Sequence, residues 1–422
     1  MKNDTTSDSK YIWNECPNIG FSKENFQRFL IWAVREIGAN DIFIESNEPL
    51  GIKKDNVTYN VSKREIPYNE LEQLIKVIYQ TSAASELRSG KPFGFAYSFT
   101  FGKDERLRFR VDASAGNSIT AIDEGIELVL RPTEGEPPSV HDLNLPQRII
   151  NTTSHKDGMV LITGPTGSGK TTMIASLLKF IIQTMRKHVL AVEDPIEFDL
   201  KQIPNRLSRV MQSEIGTNVV SFSRFIKHML RRSPDVILLG ELRDAESIDA
   251  GILAAQTGHL VFATGHTNSC SNALERLVDD LPSEQQKSKL LKLAGSTRSI
   301  IHQRLLRGRS GGRVAVIEEL HITRELQMRM FSLIAKEDQS LTRFLAEHIE
   351  KSGLSIKSSI KQKFTQGLLN IEVCIEELAQ ELNQDDMVFF WSECQALMSN
   401  EIINESEYKK WLNYIETFNE SL

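Results

Sequence analysis

The pattern of apolar and polar positions first predicts a small domain in which helices and strands are mixed. Apolar residues between Phe26 and Ile37 recur at helical spacing and Gly38 follows them, which predicts a helix that ends there. A second helical pattern covers Tyr68 to Thr81. Short extended runs accompany these helices at 41–45, 95–101, 106–111 and 126–130. We therefore expect an α+β domain in the first third of the chain.

The pattern then changes to short, continuously apolar runs that alternate with helical segments. Such runs are typical of strands that are buried on both faces of a parallel sheet. They lie at 159–163, 188–192, 235–239, 259–264 and 313–317. After Glu319 no strand pattern stands out, and the chain is expected to be mostly helical as far as Leu422. The sequence thus predicts an α/β domain followed by a helical region.

Proline placement sets the boundary between the two domains. Four of the 13 prolines fall between Pro132 and Pro146, which disfavours regular structure and is typical of a linker. The expected organisation is a disordered lead-in over residues 1–20, an N-terminal domain over 21–131, a linker over 132–148, an α/β domain over 149–320 and a helical C-terminal region over 321–422.

Composition narrows the class of protein. The 422 residues are 40% hydrophobic and 25% charged, no run approaches the length of a membrane span, and the polar N-terminus is unlike a secretory signal. Four widely separated cysteines fit a reducing cytoplasm better than a zinc site. A net charge of −6 argues against a protein that coats nucleic acid, although the basic stretch Arg304 to Arg313 is either a solvated loop or a local contact for nucleic acid.

The most specific motif is a phosphate-binding loop between a predicted strand and a predicted helix. It consists of Gly164, Pro165, Thr166, Gly167, Ser168, Gly169, Lys170 and Thr171, and Thr172 follows it. Backbone N–H groups of such a loop surround phosphates at the N-terminus of a helix. Lys170 would neutralise the β- and γ-phosphates, and the Thr171 hydroxyl would bind Mg²⁺. The sequence therefore predicts a site for ATP and Mg²⁺.

Hydrolysis also needs a group that orients water against the γ-phosphate. Glu241 follows a predicted strand at the edge of the sheet where nucleotides bind in open α/β folds, so it is the candidate general base or water-positioning residue. Gly240 replaces the Asp usual before that glutamate. Further contacts to the metal are therefore assigned to the acidic run at 193–197, which could instead be a solvated turn. Its candidates are Glu193, Asp194 and Glu197.

A histidine follows another predicted strand at the same edge. The imidazole of His266 could donate a hydrogen bond to the γ-phosphate and so report its presence. The alternative is a purely structural histidine.

These four motifs, in this order, resemble the secretion-ATPase superfamily, which includes type II and type IV secretion motors and type IV pilus motors. The resemblance implies a RecA-like P-loop NTPase core, a PAS-like N-terminal domain and a homo-hexameric ring recruited to secretion or conjugation proteins at the cytoplasmic face of the inner membrane. It also implies that Arg108, Arg110 and Arg131 are the candidates to reach the phosphates bound by a neighbouring subunit. Their other reading is ordinary ion pairing on the domain surface. Sequence-specific binding of nucleic acid is not expected.

Finer features are similar to the DotB/TraJ branch of type IVB secretion and conjugation. These are the segments 29–34, 212–215 and 363–367. The segment 324–330 departs from the corresponding run of pilus-retraction motors, which favours secretion over retraction. The tail 382–422 has no counterpart, and either docks a partner or covers the preceding helices. A pilus motor, a ring scaffold with little hydrolysis and a nucleic-acid translocase remain as alternative functions, whereas an ABC-type subunit is disfavoured because Ser310 to Gly312 follows the Glu241 strand.

Overall fold

The computed structural model describes residues 11–18, 20–55, 57–79, 81–102, 105–116, 125–133, 136–216, 218–219, 221–336 and 339–419. The strands are β1 (Asp41–Glu45), β2 (Pro49–Lys54), β3 (Val57–Glu65), β4 (Phe93–Phe101), β5 (Glu105–Gly116), β6 (Gly125–Thr133), β7 (Gly158–Thr163), β8 (His188–Glu193), β9 (Arg209–Glu214), β10 (Val236–Leu239), β11 (Leu260–Gly265), β12 (Thr297–Arg307) and β13 (Arg313–His321). The helices are α1 (Lys23–Ile31), α2 (Tyr68–Ile78), α3 (Ala83–Arg88), α4 (Gln147–Ile150), α5 (Lys170–Thr184), α6 (Phe222–Met229), α7 (Ala245–Gln256), α8 (Ala273–Asp279), α9 (Ser283–Ser296), α10 (Arg324–Lys336), α11 (Leu341–Ser352), α12 (Ile356–Thr365), α13 (Ile371–Leu378), α14 (Gln384–Ser399) and α15 (Glu405–Asn419).

The chain forms two compact units. The first, the N-terminal unit, comprises residues 1–137, 194–203 and 213–219, and the second, the C-terminal unit, comprises 138–193, 204–212 and 220–422. The two short inserted segments were expected inside the α/β domain at 149–320. Their place in the N-terminal unit is explained by two ion pairs, Arg106–Asp199 at 2.7 Å and Arg108–Glu214 at 3.0 Å.

The N-terminal unit is built on an antiparallel sheet with the strand order β3-β2-β1-β6-β5-β4. Leu107, Phe109 and Val111 of β5 are buried in its core. Because side chains alternate along a strand, Arg108 and Arg110 lie on the opposite, polar face of β5. The predicted α+β architecture is confirmed, although β2 and β3, which carry several polar residues, were not predicted.

Part of the N-terminal segment that was predicted to be a disordered lead-in packs against the rest of the N-terminal unit. Residues 1–10 lie outside the described residues, but Trp13 is only 3% exposed. Its backbone N–H donates to Val61 O at 2.8 Å, and the centroid of its ring lies 5.1 Å from that of the Phe29 ring. The prediction of disorder over residues 1–20 is therefore wrong for the segment that contains Trp13, because one buried aromatic side chain anchors it without producing any periodic pattern in the sequence.

The C-terminal unit is built on a sheet with the strand order β13-β12-β7-β11-β10-β8-β9. Neighbouring strands from β12 to β8 pair in parallel, which confirms the predicted parallel sheet. The strand at 313–317 was also expected to be parallel, and this was wrong: β13 pairs antiparallel with β12. The connection between them, Gly308 to Gly312, is too short for a crossover and makes a hairpin instead.

The C-terminal helices share a hydrophobic core with the edge of this sheet. Leu306 and Val316, from β12 and β13, belong to the same buried cluster as Phe364, Phe390 and Trp411. The described part of the tail, residues 382–419, therefore covers the preceding helices, which was one of the two roles expected for 382–422. In the described parts of the chain, no helix combines the length and the apolar character needed to cross a membrane.

Candidate nucleotide-binding site

The registers of the parallel strands bring the sequence motifs of the C-terminal unit to one edge of the sheet. Thr163, the last residue of β7, pairs with Gly265 of β11 and with His302 of β12. Leu239, the last residue of β10, pairs with Ala263 of β11, two residues before Gly265. The residues that follow these strands therefore emerge at a common carboxyl edge, which is where open α/β sheets bind their ligands.

The loop between β7 and α5 packs tightly against β12. Gly164 has φ +144°, and a Cβ atom there would collide with the carbonyl oxygen of Gln303 and with Ser168 Oγ. The side-chain amide of Gln303 donates to Ser168 O at 2.5 Å. The glycine is thus required both by its backbone conformation and by the close approach of β12.

The loop has the features that a phosphate would need. Lys170 is buried, and its ammonium donates to Gly164 O at 2.7 Å and to Pro165 O at 3.0 Å, inside the curve of the loop. Ser168 Oγ is buried without a hydrogen-bond partner in the described structure, and a phosphate oxygen would satisfy it. The first turn of α5, with Thr171 and Thr172, directs backbone N–H groups and a positive dipole toward the same place. These residues fit a bound Mg²⁺-nucleotide.

Glu241 is held by two neighbours within the C-terminal unit. Its Oε2 lies 2.5 Å from Arg243 Nε, and its Oε1 lies 3.0 Å from His266 Nε2. A cleft of about 420 Å³ opens beside them, and Arg276 and Asp280 also line it. The structure thus brings together two of the predicted catalytic residues, Glu241 and His266, and adds Arg243, whose role was not foreseen. Each carboxylate oxygen of Glu241 keeps a further lone pair, with which it can accept a hydrogen bond from an attacking water.

Of the acidic candidates, Glu193 lies in the C-terminal unit. Its carboxylate is buried at the end of β8 and accepts a hydrogen bond from Gln212 Nε2 at 2.9 Å. Asp194 and Glu197 belong to the N-terminal unit. The roles assigned to all three in contacting the metal remain predictions.

The three candidate arginines all lie in the N-terminal unit, in different environments. Arg108 is largely buried against Glu214, and Arg131 Nε donates to Asp41 at 2.7 Å. Arg110 is exposed and makes no ion pair within the described residues, and it stands directly opposite Arg131 across β5 and β6. Ion pairing, which the sequence left open as the alternative, thus applies to Arg108 and Arg131. Among the described residues, Arg110 is the candidate whose guanidinium has no ion pair.

Sequence reasoning missed a polar triplet on β12 that borders the loop. His302, Gln303 and Arg304 interrupt an otherwise apolar strand, and the first two are buried. Arg304 Nε donates to His302 Nε2 at 3.3 Å, so the proton of the neutral imidazole is on Nδ1, which faces Thr163 Oγ1 at 3.1 Å. Three polar residues within an apolar run were the signal that could have located this contact.

Burial strongly affects the ionisation of His302. Burial first, and then the charges of Arg304 and Lys170, lower the pKa of His302 to about 4 from the usual 6.5. The unfolded chain therefore binds more protons than the folded chain between these two values. It follows that the stabilising contribution of a neutral His302 is complete above pH 6.5 and is lost as the pH falls toward about 4.

Replacing His302 by asparagine should remove this pH dependence. Between about pH 7 and pH 4 the free energy of unfolding of the wild type should fall by about 3 kcal/mol more than that of His302→Asn, measured by urea unfolding across the pH range. The same substitution at the exposed His141 serves as the control and should leave the wild-type dependence intact. Parallel pH profiles for wild type and His302→Asn would contradict the assignment.

Comparison with known proteins agrees with this geometry. The family model "Type II/IV secretion system protein" matches residues 139–324. The type IV pilus retraction ATPase PilT of Pseudomonas aeruginosa is 34% identical over 281 residues, which cover 67% of this chain and 78% of that protein.

Solved structures extend the similarity to both units. The X-ray structure of the Legionella pneumophila ATPase DotB matches with a TM-score of 0.79 and 30% identity, over 88% of this chain and 100% of that chain. The crystal structure of the pilus retraction motor PilT with bound ADP matches with a TM-score of 0.69 and 30% identity, over 82% of this chain and 95% of that chain. The resemblance drawn from the motifs is confirmed, and the chain belongs to the type II/IV secretion ATPase family, with the RecA-like fold of its ATPases.

Proposed function

We propose that this chain is a Mg²⁺-dependent ATPase that works as a homo-hexameric ring and converts hydrolysis into movement of its domains. The observation that carries the proposal is the joint placement of the phosphate-binding loop, Glu241 and His266 at one edge of the sheet, in a chain whose relatives are ATPases. Closure of domains around a ligand is an established route from binding to motion.

The proposed division of labour follows from the contacts. Lys170 and the N–H groups at the start of α5 bind the phosphates, and the Thr171 hydroxyl holds the metal, with Glu193 behind it through water. Bound Mg²⁺ would neutralise charge that develops on the phosphate oxygens. Glu241 orients the attacking water and accepts its proton, and His266 holds Glu241 or donates to the γ-phosphate.

The system that we propose the motor serves is type IVB-like secretion or conjugative transfer, at the cytoplasmic face of the inner membrane. The similarity to DotB supports this, because it covers all of that chain at a TM-score of 0.79. The arginines of the basic stretch give no support to a nucleic-acid translocase, because several are used internally. Arg309 binds Gly367 O at 2.9 Å, and Arg304 binds Glu377 at 2.5 Å.

A pilus-retraction motor is the second candidate function. The 34% identity to PilT over 78% of that protein favours it. Deletion of the gene in the organism that encodes this chain separates the two. Loss of effector export or plasmid transfer with normal twitching would support the first function, and loss of twitching alone would support the second.

Turnover itself can be tested with the purified chain. Wild type should release phosphate from ATP only when Mg²⁺ is present. Lys170→Ala should lower that rate by about 10²-fold, because it removes a charge that stabilises the transferring phosphoryl group. Lys179→Ala, at a lysine further along α5, provides the matched control and should turn over normally. A wild type that binds ATP but releases no phosphate would instead identify a ring scaffold, the alternative suggested by Gly240.

A further inference from the structure

The basic stretch Arg304 to Arg313 contains one arginine that joins several parts of the nucleotide-binding site. Arg304 lies on β12, and about a third of its side chain is exposed. Its guanidinium donates to Glu377 Oε1 at 2.5 Å, to Asn268 O at 3.3 Å and to His302 Nε2 at 3.3 Å. The planar fork of an arginine can hold three such acceptors in a fixed arrangement, which a lysine cannot.

Two of these contacts reach segments that carry the proposed chemistry. Asn268 lies two residues after His266, on the loop that follows β11. His302 in turn contacts Thr163, the residue directly before the phosphate-binding loop. Arg304 thereby fixes the loop of His266 relative to the strand that leads into the phosphate-binding loop. A cleft of about 690 Å³ between them is lined by Pro165 to Ser168 and by all four residues of this contact set: Asn268, His302, Arg304 and Glu377.

The third contact comes from the C-terminal helices. Glu377 lies on α13, a helix that buries Cys374, Ile375 and Leu378 in the cluster shared with the edge of the sheet. The Glu377 side chain is about one quarter exposed, so its pairing with Arg304 is partly shielded from water. Removing one partner of such a pair leaves the other charge without compensation and free to move.

We propose that Arg304 is a positioning residue of the nucleotide-binding site and that Glu377 holds it in place, so that docking of the C-terminal helices sets the rate of turnover. The proposal rests on the ATPase function proposed above. It assigns a function to the basic stretch and to the helices after residue 356, for which the motifs provided none. Neither residue contacts the reacting atoms, and both act through the backbone of Asn268 and the imidazole of His302.

The test compares turnover with nucleotide binding in the full-length chain. Glu377→Ala should lower kcat for phosphate release at least about fivefold, while the Kd for ADP changes by less than about twofold. Arg304→Ala should lower kcat to a similar extent. The double variant should lose no more than Arg304→Ala alone, because both substitutions break the same bridge. Glu377→Gln, whose amide oxygen can still accept from Nη1, should recover part of the loss.

Glu372 offers a matched control on the same helix. It pairs with Lys410 at 2.8 Å, is similarly buried and contacts α15 instead of the site. Glu372→Ala should therefore keep wild-type kcat even if it lowers the melting temperature as much as Glu377→Ala does.

Three outcomes would overturn the inference while the proposed function stands: kcat of Glu377→Ala within about twofold of wild type, an equal loss in Glu372→Ala, or additive losses in the double variant. If Glu377→Ala fails to fold, Arg304→Ala decides the same question, because it breaks the same contact from the other side, and a kcat within about twofold of wild type would overturn the inference. A wild type without turnover would instead refute the proposed function, and this inference with it.

Discussion

Replacing Glu241 by glutamine should leave ATP bound while turnover falls by about 10³-fold, within the range found when a general base is removed. The amide has the shape of the carboxylate, and its oxygen can still accept from Arg243 or His266, so the local structure should persist. What is lost is the negative charge that orients water and accepts its proton. Loss of that charge near the γ-phosphate also favours tighter binding of ATP.

The measurement is phosphate release under steady-state conditions, beside equilibrium binding of a fluorescent ATP analogue. Glu246→Gln is the matched control, because Glu246 is an exposed glutamate at the start of α7, five residues along the chain. It should hydrolyse ATP at the wild-type rate. Retention of more than about a tenth of wild-type turnover in Glu241→Gln would show that another group activates the water.

The phosphate-binding half of the site was predictable because it depends on local sequence. A strand, a glycine-rich loop and a helix are consecutive along the chain, and Lys170 contacts carbonyl groups five and six residues before it. Apolar runs such as 159–163 identify buried parallel strands because every side chain there faces a neighbouring layer. These elements can be predicted from their own local sequence, without knowledge of the rest of the chain.

Contacts between distant segments were not predictable in the same way. β12 is buried but includes His302 and Gln303, whose polarity is satisfied by Thr163 and by the loop at Ser168, more than 130 residues earlier. The local sequence pattern does not identify such partners. The same holds for Arg108, whose pairing with Glu214 decides that its guanidinium is engaged. A motif thus identifies the residues of a site, whereas the partners of those residues depend on the assembled sheet.

Arg110 should be needed in trans, by the nucleotide bound to a neighbouring subunit. On the face of the N-terminal sheet, Arg110 and Arg131 stand directly opposite each other, and like charges in that position repel. Asp41 compensates Arg131, whereas Arg110 has no ion pair within the described residues. An exposed, uncompensated guanidinium is suited to bind a phosphate group with its two parallel N–H donors.

Arg110→Ala should therefore lower turnover by about 10³-fold or more, the effect of removing an arginine that stabilises transition-state charge, while ATP still binds. Arg28→Ala is the control, since Arg28 lies in the same unit in a solvent-exposed pair with Glu15, and it should turn over normally. Normal turnover in Arg110→Ala would reassign the role to Arg108 or Arg131.

Mixed rings then place the arginine. Arg110→Ala subunits keep Lys170 but lack the arginine, and Lys170→Ala subunits keep the arginine but lack the phosphate-binding lysine. If Arg110 acts in trans, an Arg110→Ala subunit beside a Lys170→Ala neighbour has a complete site. Random equimolar rings contain such a site at about one quarter of their interfaces, the product of two one-half probabilities at each head-to-tail contact. We expect co-assembled rings to recover turnover toward that fraction, whereas an arginine acting within its own subunit would leave the mixture as inactive as either parent.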